Sequence, residues 1–239
     1  MKPDQRSHPM RNPIIAALDV DDITHALKLA DELADIVGGF KVGPRLCLRY
    51  GQELVKEIAA RGPVFMDNKH FDIPSTMEAA VRASFEAGAT LVTVHALSGY
   101  EALVKMAKLE KELTLIRPFK ILAVTILTSW DQKSLPGNLK QQPISQHVVE
   151  LADLVLSSGM TGLVCSPHEL DLLQNKGLYL VTPGIRFNME GLGDQKRVMG
   201  PDEAIKAGAT ALVVGRPIIE AKKPRETATD YVMALYEKK

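Results

Sequence analysis

Cysteine is scarce in this sequence: its 239 residues contain only Cys47 and Cys165. Neither cysteine lies in a Cys-x-x-Cys motif, and the 6 histidines offer few partners for a metal site. This pattern is typical of reduced thiols in a cytoplasmic protein and argues against a structural disulfide or a zinc cluster. We therefore expect a cytoplasmic chain with no metal site.

The chain also lacks net charge and long apolar runs. Lys and Arg together number 29, as do Asp and Glu, so the formal net charge at pH 7 is zero. Balanced charge disfavours general binding to nucleic acid or to acidic membranes, although a local basic pocket remains compatible with it. No apolar run approaches the roughly 20 residues of a membrane span, and the polar N-terminus does not resemble a signal peptide. We expect no nucleic-acid or membrane partner and a flexible tail over residues 1–12.

Short apolar runs are abundant instead. Each is too short for a helix and nearly continuous, as in strands buried on both faces of a parallel sheet. The eight runs are IIAALD (14–19), GFKVG (39–43), VFMD (64–67), LVTVH (91–95), ILAVT (121–125), GLVCS (162–166), YLVTPG (179–184) and ALVVGR (211–216). Helical patterns separate them, which predicts a single-domain (β/α)8 TIM barrel over residues 13–239. A doubly wound sheet is the alternative, but it requires a glycine-rich loop where this chain reads LDVDDI.

Three helix boundaries can be predicted from local signals. Apolar residues spaced by three or four from Ile23 to Val37 predict a helix that ends at Gly38. Ser75, three residues before Glu78, forms a capping-box pattern for a helix that runs to residue 88. Ser166, followed by a proline, predicts another helix start.

The stretch FMDNKHFDIP (65–74) places Asp67, Lys69 and Asp72 where a buried strand ends. Strand alternation puts Asp67 and Lys69 on the same side of the chain. Lys41 lies within another apolar run, where a lysine is costly to bury without a partner. Two lysines and two carboxylates would keep one another charged, which predicts either a catalytic group or a structural ion-pair network.

Other polar residues also fall at predicted strand ends, the catalytic face of a barrel. Asp19 suits either the site or the cap of the next helix. His95 suits either a structural or a catalytic role, and Thr128 and Ser129 suit either the site or an ordinary turn.

The last two strands predict a phosphate site. Arg186 and Arg216 follow strands seven and eight, where many barrels bind phosphate through glycine turns and helix starts. Arginine adds a bidentate grip, and Gly215 allows close approach of the backbone. The segment 186–194 has the composition of a mobile lid, with Gln195 at its far hinge.

Taken in order, these motifs resemble those of the orotidine 5′-phosphate decarboxylase family. The resemblance extends from residue 13 to nearly the end of the chain, and its most specific element is D-x-K-x-x-D-I-P. The matching motifs are ALDV, FKVG, DNKHFDIPSTM, VTVHA, AVTILTS, VCSP, VTPGIR, GDQKR and VVGRP.

The resemblance implies a homodimeric (β/α)8 barrel that decarboxylates orotidine 5′-phosphate to UMP with no metal or organic cofactor. It implies a catalytic network of Lys41, Asp67, Lys69 and Asp72. Asp72, with Ile73 and Thr76, would reach the site of the neighbouring subunit. The implied substrate contacts are Asp19 and Lys41 to the ribose, Thr128 and Ser129 to the pyrimidine, and Pro183, Arg186, Gln195, Gly215 and Arg216 to the phosphate.

One departure and two alternatives accompany this resemblance. The chain reads Lys-His-Phe-Asp at 69–72, where the family usually reads Lys-Phe-His-Asp, and Asn68 replaces a common apolar residue. One alternative is a Mg²⁺-dependent relative on the same barrel, which would carry an acidic metal ligand near strand two, where this chain has Lys41. The other is a non-catalytic barrel that binds a phosphorylated ligand.

Overall fold

The computed structural model describes residues 9–187 and 198–236. Eight parallel strands follow one another around a closed barrel, and β1 pairs with β8. The strands are β1 Ile14–Ala17, β2 Gly39–Val42, β3 Val64–His70, β4 Ala89–His95, β5 Lys120–Val124, β6 Gly162–Val164, β7 Tyr179–Pro183 and β8 Ala211–Val214. The predicted (β/α)8 barrel is confirmed, and closure between β1 and β8 rules out the doubly wound sheet.

Helices follow the strands around the outside of the barrel. They are α1 Ile23–Leu33, α2 Pro44–Ala59, α3 Pro74–Glu86, α4 Tyr100–Thr114, α5 Ile144–Ser157, α6 Leu170–Leu173, α7 Pro201–Lys206, α8 Arg216–Ile219 and α9 Pro224–Met233. Short 3₁₀ turns precede α4, α5 and α6, at Ala96–Ser98, Gly137–Leu139 and Pro167–Glu169.

Strand alternation divides the core into two layers. One set of strand residues packs outward against the helices, and the alternate set fills the barrel interior. The interior set includes Ile15, Ala17, Phe65, Leu91 and Leu122. Inward-pointing side chains of parallel barrels pack in such layers, so the interior beneath the carboxyl ends of the strands is a filled core.

Two of the three predicted helix boundaries are wrong. Helix α1 ends at Leu33 rather than at Gly38. Gly38 instead lies against the backbone of Asn12, where an added Cβ would be 1.9 Å from a carbonyl oxygen, and its N–H donates to the Ile14 carbonyl of β1 at 2.7 Å. Helix α3 starts at Pro74 with Ile73 as its N-cap, so Ser75 already lies inside the helix.

The third boundary is correct. Ser166 is the N-cap of a 3₁₀ turn, and its backbone N–H donates to the Glu169 carboxylate at 2.7 Å. A short loop is thereby fixed beside the end of β6.

Packing begins before residue 13, the boundary predicted for the barrel. Met10 is buried and belongs to the interior cluster. Arg11 donates to the carbonyls of Gly38 and Ala34, and Asn12 donates to that of Ile36. Residues 10–12 are therefore part of the packed barrel: Met10 belongs to its interior core, and Arg11 and Asn12 are hydrogen-bonded to the segment that follows α1.

Candidate active site

A cavity of about 570 Å³ opens at the carboxyl ends of the strands. Both polar and apolar side chains line it, and most come from strand ends or the loops that follow them. The lining includes Ala17, Asp19, Lys41, Arg45, Phe65, Asp67, Lys69, Val124, Ile126, Leu127, Thr128, Val164, Pro183, Gly184, Ile185, Arg186, Val213, Gly215, Arg216, Pro217 and Glu220. The catalytic face predicted from the sequence therefore contains a polar cavity.

At the centre of the cavity lies the carboxylate of Asp67, between two ammonium groups. Lys69 Nζ is 2.9 Å from Asp67 Oδ1, and Lys41 Nζ is 3.7 Å from Asp67 Oδ2. The side chains of Lys41 and Asp67 are only 12% and 14% exposed, whereas that of Lys69 is 39% exposed. The structure thus joins three of the four predicted catalytic residues, and Lys69 is the most accessible of them.

The charged state of this group follows from its geometry. Burial by itself would lower the pKa of Lys41, but the charges of Asp67 and Asp19 outweigh burial and raise that pKa above its ordinary value. Burial by itself would raise the pKa of Asp67, but Lys41 and Lys69 outweigh it and lower that pKa. Both shifts favour the ionised forms, so Lys41 and Asp67 are charged at neutral pH.

The backbone of Lys69 is strained. Its φ is +50°, a left-handed conformation that residues other than glycine rarely adopt. The pairing of β3 with β4 shifts register between Met66 and His70, as in a bulge. Such strain persists only where surrounding contacts hold it, so the position of Lys69 depends on its neighbours.

Thr93 on β4 supplies those contacts, a role that the sequence did not predict. It is fully buried, and its hydroxyl accepts from the Lys69 backbone N–H at 2.9 Å and donates to Asp67 Oδ1 at 3.1 Å. One side chain therefore holds both the strained backbone and the central carboxylate. In the sequence, the signal for this role was a single hydroxyl side chain within the apolar run LVTVH at 91–95.

Asp19 faces the same group from the end of β1. Its Oδ1 accepts from Lys41 Nζ at 2.9 Å, so Lys41 lies between two carboxylates. The helix-cap alternative for Asp19 is wrong, because Asp22 caps α1 by accepting from the His25 N–H at 2.8 Å.

Most of the residues predicted for phosphate also line the cavity, at the ends of β7 and β8. Pro183, Arg186, Gly215 and Arg216 all lie there, although Gln195 falls outside the described residues together with 188–194. A Cβ added at Gly215 would be 3.8 Å from Asp19 Oδ2. The arginine side of the cavity therefore lies close to the Asp19–Lys41 pair.

The two residues predicted for the pyrimidine separate in the structure. Thr128 lines the cavity, whereas Ser129 is exposed and lies outside the lining. Both residues lie within a turn closed by the bond from the Trp130 N–H to the Leu127 carbonyl at 3.0 Å.

Asp72, Ile73 and Thr76 are exposed and do not line the cavity of their own chain. Asp72 Oδ1 accepts from the Ile73 N–H at 2.6 Å, and no ion pair joins Asp72 to any residue in the described ranges. The fourth predicted catalytic residue is therefore outside the central group of this chain.

Of the two histidines near this segment, His95 contacts the residues around it. His95 Nδ1 accepts from the Leu97 N–H at 3.3 Å, and the His95 ring lies 5.5 Å from the Phe71 ring. Burial lowers the pKa of His95, with a smaller contribution from the charge of Lys69, and burial also lowers the pKa of His70. In the inverted pair, Phe71 is thus the ring that packs on His95, while His70 is half-buried.

The fold and the cavity define a (β/α)8-barrel enzyme with a charged site at the carboxyl ends of its strands. More specifically, the chain belongs to the Orotidine 5′-phosphate decarboxylase / HUMPS family, whose model matches residues 12–231. In residues 9–187 and 198–236, no three His, Cys, Asp or Glu side chains are grouped so as to hold a metal ion. No helix there is long and apolar enough to cross a membrane.

Individual orotidine 5′-phosphate decarboxylases are similar to this chain over most of its length. An orotidine 5′-phosphate decarboxylase from Parasynechococcus marenigrum is 44% identical over 232 residues, or 94% of each chain. One from Citrifermentans bemidjiense is 41% identical over 226 residues, covering 92% of this chain and 94% of the relative. The crystal structure of the Lactobacillus acidophilus orotidine 5′-phosphate decarboxylase has 30% identity and a TM-score of 0.80, covering 95% of this chain and all of the other.

We predict that Thr93→Val lowers kcat by at least about tenfold, because the isosteric change removes the hydroxyl that holds Asp67 and leaves the Lys69 N–H without its acceptor. Steady-state kinetics would measure the effect. Thr182→Val is the matched control: Thr182 is equally buried on β7, and its hydroxyl has no partner among the described residues. Equal activities for the two variants would contradict the role given to Thr93.

Proposed function

We propose that the chain decarboxylates orotidine 5′-phosphate to UMP, the last step of UMP biosynthesis, in the cytoplasm and without a metal ion or organic cofactor. The observation that supports this function most directly is the Asp67 carboxylate, which lies between Lys41 and Lys69 in the cavity. Family membership, with relatives of about 40% identity named for this activity, supports the same reaction.

Lys69 would act on the reacting carbon. Breaking the bond between carbon 6 and the carboxylate releases CO₂ and leaves the electron pair on the ring carbon. A fixed ammonium beside that carbon stabilises the charge as it develops, with little reorganisation of the site. Lys69 then donates a proton to carbon 6, which completes UMP, and recovers its proton from solvent.

Asp67 would keep Lys69 charged and in place. Its carboxylate lies 2.9 Å from the Lys69 ammonium and is itself held by Thr93. It would also lie near the substrate carboxylate, where it destabilises the bound substrate more than the product. Lys41 balances the charge of Asp67 and, with Asp19, would contact the ribose hydroxyls.

The rest of the cavity would bind the two ends of the nucleotide. Arg186 and Arg216, with Pro183 and Gly215, would hold the phosphate. Thr128 would contact the pyrimidine edge, and the adjacent Ser129, which does not line the cavity, would join it there. Gln195 and the segment 186–194 would close over the phosphate. Because phosphate binding is remote from the chemistry, its free energy can drive closure and exclude water.

We further propose that the enzyme is a homodimer with shared sites, in which Asp72, Ile73 and Thr76 reach the site of the partner. Two features support this. Phe71 and Ile73 are each 63% exposed, so two large apolar side chains lie at the surface on either side of Asp72 in the sequence. Asp72 also stands apart from the central group of its own chain, with the Ile73 N–H as its hydrogen-bond partner.

The direct test follows the loss of absorbance on adding orotidine 5′-phosphate, with and without EDTA. We expect activity that EDTA leaves unchanged, and Lys69→Ala should lose at least about 10⁴-fold in kcat because the proton donor and the fixed charge disappear together. Lys108→Ala on α4, an exposed lysine that is not part of the cavity lining, is the control. Activity abolished by EDTA would favour the Mg²⁺-dependent relatives, and an active Lys69→Ala would refute the role of Lys69.

Subunit mixing tests the shared site. Lys69→Ala and Asp72→Ala homodimers should each be inactive. A hybrid dimer carries one site with both defects and one site with neither, so an equal, fully exchanged mixture should regain about one quarter of wild-type activity. Activity no greater than that of the separate variants, with exchange verified by mass spectrometry, would contradict the contribution of Asp72 across the interface.

A further inference from the structure

Arg45 lines the cavity, although it belongs to none of the sequence motifs that predicted the site. It is the second residue of α2, which begins at Pro44 directly after β2. Its Nη1 donates to the backbone carbonyl of Asp19 at 3.0 Å, and its Nε lies 3.7 Å from Asp21 Oδ1. The guanidinium therefore bridges the start of α2 to the loop that carries Asp19.

Arg45 is one of three residues of α2 that contact the same loop. The Tyr50 hydroxyl donates to the Asp21 carbonyl at 3.2 Å, and Arg49 Nη1 approaches the same oxygen at 3.4 Å. The backbone hydrogen bonds between β1 and β2 end at Leu18, whose N–H donates to the Lys41 carbonyl at 2.9 Å. Beyond Leu18, side chains of α2 hold the loop, and among these three Arg45 is the one that contacts Asp19.

Holding the Asp19 backbone also fixes its carboxylate. Asp19 Oδ1 accepts from Lys41 Nζ at 2.9 Å, and the Asp19 side chain is about half exposed. A half-exposed carboxylate on an unsupported loop would sample several positions, and small displacements of a binding group cost much of its effect. The bond from Arg45 to the Asp19 carbonyl restricts that movement.

We propose that Arg45 is a positioning residue that, by fixing Asp19, makes the cavity selective for the ribose hydroxyls of the nucleotide. This inference rests on the proposed ribose contacts of Asp19 and Lys41. The separation between Arg45 and Asp21, both more than half exposed, makes their ion pair a weak contributor. The hydrogen bond from Arg45 to the Asp19 carbonyl is therefore the contact through which Arg45 positions Asp19.

The test compares the binding of UMP with that of its 2′,3′-dideoxy analogue, each measured as a competitive inhibitor of the decarboxylation. The ratio of the two inhibition constants reports the hydroxyl contacts alone, because both ligands carry the same base and phosphate. The enzymes are wild type, Arg45→Met, Arg45→Lys, Asp19→Ala and the Arg45→Met/Asp19→Ala double variant. Arg49→Met, which alters the same loop at Asp21, is the matched control.

We expect the preference for UMP to fall about tenfold in Arg45→Met, with binding of the dideoxy analogue changed less than about twofold. Arg45→Lys should restore part of the preference, because lysine keeps one donor but not the planar fork. In the Asp19→Ala background, Arg45→Met should have no further effect on the ratio, as for two residues acting through one contact. Arg49→Met should keep the wild-type preference.

Three results would overturn the proposal. An unchanged preference in Arg45→Met, when Asp19→Ala loses it, would refute the inference and leave the ribose contacts standing. Equal weakening of both ligands in Arg45→Met would show general attraction of the phosphate rather than positioning. An unchanged preference in Asp19→Ala would refute the ribose contact itself and the inference with it.

Discussion

The structure of the site depends on one carboxylate, that of Asp67, which lies between the ammonium groups of Lys41 and Lys69. A buried charge is costly unless it is paired and hydrogen-bonded. Here each charge compensates another, and the hydroxyl of Thr93 donates to the same carboxylate. Removing one member therefore changes the charge state or position of the rest, so the group behaves as a unit.

The barrel supplies this group through strand alternation. Lys41 pairs in register with Phe65 and Ala17, both inward-facing, so its side chain also enters the interior. The bulge and the positive φ at Lys69 then turn the end of β3 so that this lysine faces the cavity. The rigid core below holds the charges in place, and the loops above supply the residues proposed for substrate recognition.

Much of this arrangement could be predicted from the sequence, because it depends on periodicity and residue type. The eight apolar runs predicted the eight strands, and the charges of Lys41, Asp67 and Lys69 predicted a central group that the structure brings together, although Asp72 lies outside it. Thr93 and Arg45 were missed because their roles depend on contacts between segments distant in sequence. Ser75 was misassigned as a cap because Pro74 fits the first turn of a helix equally well and leaves Ile73 as the N-cap. The separation of Thr128 from Ser129 depends on a turn that no local pattern specifies.

The most direct test of the ionised Asp67 is the free energy of unfolding of wild type and Asp67→Asn, measured from about pH 6 to about pH 2.5. The pKa of Asp67 is lowered in the folded state from its ordinary value of 3.8, so its stabilising effect is complete above that value and is lost as the pH falls through the lower folded-state pKa. The other carboxylates are common to both proteins and largely cancel in the difference. We predict that the advantage of wild type over Asp67→Asn is greatest above about pH 5 and shrinks on acidification. A difference that is independent of pH, or that grows as the pH falls, would contradict an ionised carboxylate between the two lysines.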